Sequence, residues 1–81
     1  MFTQKQVWMG IESLARGQGW SVSRLAIEAG LDPTALNRSK RFGNAGRPRW
    51  PSTETLSRVL GATRTSLPEF HHLMQAAAGD D

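Results

Sequence analysis

The stretch SVSRLAIEAGLDPTALNRSK, residues 21–40, decides the fold. Val22, Leu25, Ala26 and Ala29 recur at helical spacing, and Ser21 ahead of them can cap a helix. A first short helix is therefore expected over 22–29. Gly30 follows where a left-handed residue ends a helix. Leu31 then plugs a corner, Asp32 can cap what comes next, and Pro33 suits a first helical turn because its missing N–H is not needed there. A second helix is expected over 34–40, carrying Thr34, Ala35, Leu36, Asn37, Arg38, Ser39 and Lys40.

The residue sizes fit two helices crossing steeply. Ala26 permits a close approach, and Leu36 points inward to anchor the second helix. Thr34, Asn37, Arg38 and Lys40 are left outward; all can hydrogen-bond and none is acidic. This is the plan of a helix-turn-helix that reads DNA. Arginine can bind guanine O6 and N7 together, asparagine can do the same with adenine N6 and N7, and threonine can bond or press its methyl on thymine. Thr34, Asn37 and Arg38 are the candidate base contacts. The bland alternative is an ordinary solvated helix face.

Outward from this centre, the chain divides at its breakers. A first helix is expected over 3–16, opened by a capping box of Thr3 and Gln6, with Val7, Ile11, Leu14 and Ala15 as its apolar stripe and Trp8 at the edge. Glu12 falls away from that stripe. Gly17-Gln18-Gly19 ends it. After the central pair, RFGNAGRPRWP (residues 41–51) contains Gly43, Asn44, Gly46 and Pro48, which exclude a continuing helix. A connection this long is often functional. Phe42 and Trp50 within it are read as core anchors rather than stacking platforms. A fourth helix starts near Ser52 and stops at Gly61, burying Leu56, Val59 and Leu60. A fifth opens with the capping box Ser66-Leu67-Pro68-Glu69 and buries Leu67, Phe70, Leu73, Met74 and Ala77. Five short helices, each with one apolar face, imply an all-α orthogonal bundle sharing one core. Residues 1–77 form the domain, and 78–81 read as a tail or a truncated linker.

Eighty-one residues suffice for one domain and no more. There are no cysteines, which excludes disulfides and thiolate metal sites. No apolar run reaches membrane-spanning length and no secretory leader is evident, so a cytoplasmic, nucleoid-associated protein is expected. The net charge of +3 matters less than its placement. Between residues 33 and 53 lie Arg38, Lys40, Arg41, Arg47 and Arg49, and no acidic residue. A one-sided basic segment beside the reading helix is the footprint of a polyanion-binding face. Lys40, Arg41, Asn44, Arg47 and Arg49 are the candidate backbone contacts, with a narrow minor groove as an alternative for Arg49. Ser21 and Ser23 join them, since a helix start offers N–H groups and hydroxyls to a phosphate.

The pattern Leu25-Ala26, Ala29-Gly30-Leu31, Leu36 resembles the helix-turn-helix of the lambda-repressor-like DNA-binding domains. Arg47-Pro48-Arg49-Trp50 is similar to the basic-aromatic segment that follows the recognition helix in lambdoid phage repressors, and RWPSTETLSRVLGAT with SLPEF continues the likeness over nearly the whole chain. The resemblance implies double-stranded DNA as partner and a phage-type repressor, with base contacts at positions matching Thr34 and Arg38. It also implies a homodimer on a palindromic operator with half-sites about one helical turn apart. Many such repressors carry a LexA-type self-cleaving serine peptidase domain downstream. Pro33 departs from the family pattern, in which a glutamine often reads a base.

Other functions have less behind them. His71 and His72 are helical neighbours about 100° apart, poorly placed to chelate, and no cysteine or carboxylate cluster joins them, so neither a metal nor a cofactor is expected. No serine is paired with an activating base, and an enzyme is not expected. A protein-interaction module built on the same fold, such as an antitoxin or adaptor, is the alternative. RNA binding ranks below both, because the loop offers few aromatics for stacking unpaired bases.

Overall fold

The computed structural model describes residues 2–79. Among them are four α-helices, α1 (Gln4–Gln18), α2 (Val22–Glu28), α3 (Thr53–Ala62) and α4 (Leu67–Gly79), and two 3-10 turns, Arg38–Arg41 and Asn44–Gly46. The fold is all-α. Its radius of gyration, 11.9 Å, is that of one closed domain of this length, about 12 Å. Among the described residues no helix is long and apolar enough to cross a membrane.

Each α-helix starts where a local side chain satisfies its free N–H groups. Thr3 and Gln6 form the expected capping box, with Gln6 N–H donating to Thr3 Oγ1 at 3.1 Å and Thr3 N–H to Gln6 Oε1 at 2.8 Å. Ser21 caps α2 by accepting from Arg24 N–H at 3.1 Å, and Ser52 caps α3 by accepting from Thr55 N–H at 3.0 Å. Ser66 and Glu69 form the second capping box, at 3.2 Å and 2.9 Å. Left-handed residues make the stops. Gly19 and Gly30 turn the chain at φ 74° and 75°. Behind each, a paired set of bonds closes the helix: Gly19 N–H to Arg16 O with Trp20 N–H to Ala15 O, and Gly30 N–H to Ile27 O with Leu31 N–H to Ala26 O. α3 runs through Gly61, the expected stop, and closes three residues later. There Arg64 takes the left-handed conformation at φ 53°, and Thr65 N–H reaches Leu60 O at 2.9 Å. The Thr63 hydroxyl, bonded to Val59 O at 2.9 Å, carries the helix past the glycine.

The core is shared by all four helices. Ile11, Leu25, Ala26, Leu36 and Val59 have no exposed surface, and Phe70 has almost none. Ala26 is buried as its size suggests, although the second helix it was expected to cross is not formed. α1 lies chiefly against α4, and Gly10 makes that approach possible: a Cβ there would stand 2.9 Å from Phe70 Cε1 and 3.1 Å from Met74 Cγ. Leu67, expected to be buried, is exposed at the first turn of α4, and α4 extends two residues beyond the expected end at 77. Of the expected tail, residues 80–81 lie outside the described residues.

The expected helix over 34–40 is absent as an α-helix. Residues 33–36 turn with i to i−3 bonds, Ala35 N–H to Asp32 O at 2.9 Å and Asn37 N–H to Thr34 O at 3.1 Å. Asn37 is extended (φ −66°, ψ 154°) and starts the separate 3-10 turn. Two competitors defeat the α-helix. Asp32 takes both the N–H and the hydroxyl of Thr34, at 2.9 and 2.7 Å, as an Asx turn does. The Leu36 carbonyl, which in an α-helix would accept from Lys40 N–H, instead receives the guanidinium of Arg41. Lys40 N–H goes to Asn37 O at 2.9 Å.

Candidate nucleic-acid interface

Thr34 and Arg38, two of the candidate base contacts, are exposed, and Asn37 is half-buried. They stand on two consecutive tight turns rather than on one rod. Leu36 between them is fully buried and pins the segment to the core, as expected. Ser21 and Ser23 are exposed at the start of α2, with the Ser21 hydroxyl oxygen engaged by Arg24 N–H. The Thr34 hydroxyl, and then its N–H, hold the Asp32 carboxyl below its usual range of 3.8, with Lys40 adding a smaller pull in the same direction.

Arg41 is not on the surface. Expected to face a phosphate, it is only 9 % exposed. Its Nη1 pairs with Glu12 of α1, its Nη2 bonds Leu36 O at 3.1 Å, and its guanidinium lies 5.3 Å from the centre of the buried Trp8 ring. The side chain turns inward because three partners there together replace the water it gives up. Its role is to tie the turns after α2 to α1. Trp8 and Glu12 were not candidates in the sequence, although their spacing of four puts them on one helix face, where an aromatic and a carboxylate can share one arginine.

The long connection is more ordered than its glycines suggest. Residues 41–43 and 47–49 run antiparallel, with Phe42 paired to Pro48, Gly43 N–H donating to Arg47 O at 2.7 Å and Arg49 N–H to Arg41 O at 2.8 Å. The tip turns through Ala45 and Gly46, both left-handed. Trp8 Nε1–H donates to Arg49 O at 2.8 Å and moors the hairpin on α1. The side chain of Asn44, a candidate backbone contact, lies outside the described part of the structure.

Removing Arg41 from the basic set leaves Arg38, Lys40, Arg47 and Arg49. All four are exposed and none has an ion-pair partner among the described residues. Arg38 and the hairpin are brought together: Arg38, Phe42 and Pro48 line one groove, of about 740 Å³, against Trp8 and Met9. The expected core anchors Phe42 and Trp50 are both outside, 52 % and 54 % exposed. Trp50 borders a second, apolar groove with Phe2 and Leu67.

No family model matches the chain, and no curated protein or solved structure matches it.

Proposed function

We propose that this chain is a transcriptional regulator that binds double-stranded DNA with the face running from Thr34 to Arg49. In this reading Thr34, Asn37 and Arg38 meet base edges, while Lys40, Arg47 and Arg49 take phosphates. Ser21 and Ser23 add contacts from the start of α2. The supporting observation is the set of four exposed cations, without ion-pair partners among the described residues, on a stretch of twenty-one residues that holds no acid. A polyanion is the partner such a surface suits. The remaining parts of the reading follow from the resemblance to lambda-repressor-like domains. A homodimer covers a palindromic operator and represses by excluding polymerase, with dimer contacts from α4 or from a further domain.

Selection of binding sites from random duplexes tests this. A recovered motif with two-fold symmetry supports the reading. Retention of all duplexes alike, with no motif, leaves a non-specific binder and sinks the repressor.

A second reading, a protein-interaction module of the antitoxin or adaptor kind, is favoured by the exposed Phe2, Trp50 and Leu67 around one apolar groove. Electrophoretic retardation on mixed genomic fragments separates the two, since an interaction module leaves DNA mobility unchanged.

A further inference from the structure

We propose that the hairpin formed by residues 41–50 binds unpaired nucleobases, stacking them on Phe42 and Trp50 while Arg47 and Arg49 hold the phosphates. This goes beyond duplex binding and does not depend on it. Each half of the chemistry is present. Both rings are more than half exposed, on a segment whose other outward side chains include two arginines without an ion-pair partner among the described residues. Aromatic faces interleaved with cations are how sequence-tolerant single-strand binders work, because every base has a π-face and every nucleotide a phosphate.

Rigidity makes the rings usable. The Phe42–Pro48 pairing, the Gly43–Arg47 and Arg49–Arg41 bonds and the Trp8 bond to Arg49 O hold the hairpin before any ligand arrives. Stacking on a fixed ring then loses little conformational entropy. Gly43 has a part in this: a Cβ there would come within 3.2 Å of Arg49 Cγ and Cδ, so glycine leaves the Arg49 stem room that a larger residue would make it yield. Phe42 opens on the groove shared with Arg38, and Trp50 on the apolar one beside Phe2. The two rings therefore border two separate grooves, each open to a base. A purely apolar partner would satisfy the rings but leave Arg47 and Arg49 without counter-charges, which favours a strand of nucleic acid over a peptide.

The probes are fluorescein-labelled 15-nucleotide oligo(dT) and oligo(rU), with a mixed-sequence duplex alongside, read by anisotropy. The variants are Phe42→Ser, Trp50→Ser, Phe42→Leu and Trp50→Leu. Each is expected to weaken single-strand binding about tenfold or more with an unchanged salt slope, and to leave duplex binding within about twofold. A ring-dependent affinity for either strand supports the proposal, and the tighter of the two identifies the sugar. Leucine variants that bind like the parent would mean the rings serve only as apolar surface, and the proposal falls. It falls equally if the parent binds neither strand. A parent protein that binds a single strand but not the duplex would remove the proposed regulator and leave this inference standing, whereas ring variants that lose the duplex and keep the single strand would overturn it. Thermal melts of each variant verify that these exposed positions leave the fold intact.

Discussion

Arg41 and Arg47 are six residues apart, carry the same charge and do opposite work. Arg41 is buried against Glu12, Trp8 and the Leu36 carbonyl; Arg47 is exposed at the hairpin. Arg41→Lys keeps the charge but not the planar fork, and is expected to destabilise the fold by about 1–3 kcal/mol. It should leave the salt dependence of DNA binding unchanged. Arg47→Ala should do the reverse, leaving the melting temperature and flattening the slope by about one unit. A flattened slope for Arg41→Lys would return that residue to the phosphate set. Two carboxylates also report on local order. Backbone and hydroxyl donors from Ser66 hold Glu69 below its usual 4.5, as Thr34 holds Asp32 below 3.8. Because both folded values are depressed, the stabilisation is full above the ordinary values and is lost as pH falls through the lowered ones. Carboxyl carbon shifts in an acid titration should give midpoints below 3.8 and 4.5; midpoints at those values would mean the caps are open in solution.

At the scale of elements, what the sequence reveals depends on how far each decision reaches. The starts of all four α-helices were legible because a cap involves residues three apart: Thr3 with Gln6, Ser21 with Arg24, Ser52 with Thr55, Ser66 with Glu69. The segment after Gly30 was not, because its outcome is settled by Arg41 and, through it, by Glu12 twenty-nine residues away. The same holds for Trp8, Phe42 and Trp50, whose burial or exposure follows from where the hairpin docks. Glycines show the contrast in a testable form. Gly10 and Gly61 both lie inside helices, where alanine is intrinsically better by about 1 kcal/mol. A Cβ at Gly61 meets nothing within 4 Å, while one at Gly10 runs into the buried Phe70 ring. Gly61→Ala should therefore raise the denaturation midpoint by roughly 0.5–1 kcal/mol of stability. Gly10→Ala should lower it by about 1–2 kcal/mol, overpacking outweighing propensity. Equal gains for both would mean that α1 and α4 stand further apart.

For the whole molecule, the all-α class followed from apolar spacing with caps and breakers, though four α-helices form where five were expected; Leu36 and Ala26 are buried at the centre. The charge count needed the structure. Five basic residues precede Thr53 in the central stretch, and one of them is spent inside. On the proposed reading, a duplex on this face meets Lys40, Arg47 and Arg49 through its phosphates and Arg38 through a base edge. The logarithm of its binding constant should therefore fall with the logarithm of salt at a slope of about −3 per protomer. A slope near −1, measured by retardation between low and moderate salt, would mean that the cations do not converge on one strand of phosphates.

The indole of Trp8 is buried, yet its nitrogen is spoken for by a carbonyl in the hairpin. One proton resonance therefore listens to a junction between residues forty-one apart in the chain. Anything that tugs Arg49 away from the first helix releases that proton, and the amide skeleton around it need not move for the signal to change. The protein carries its own gauge of whether the basic arm is docked or lifted, and it needs no added label.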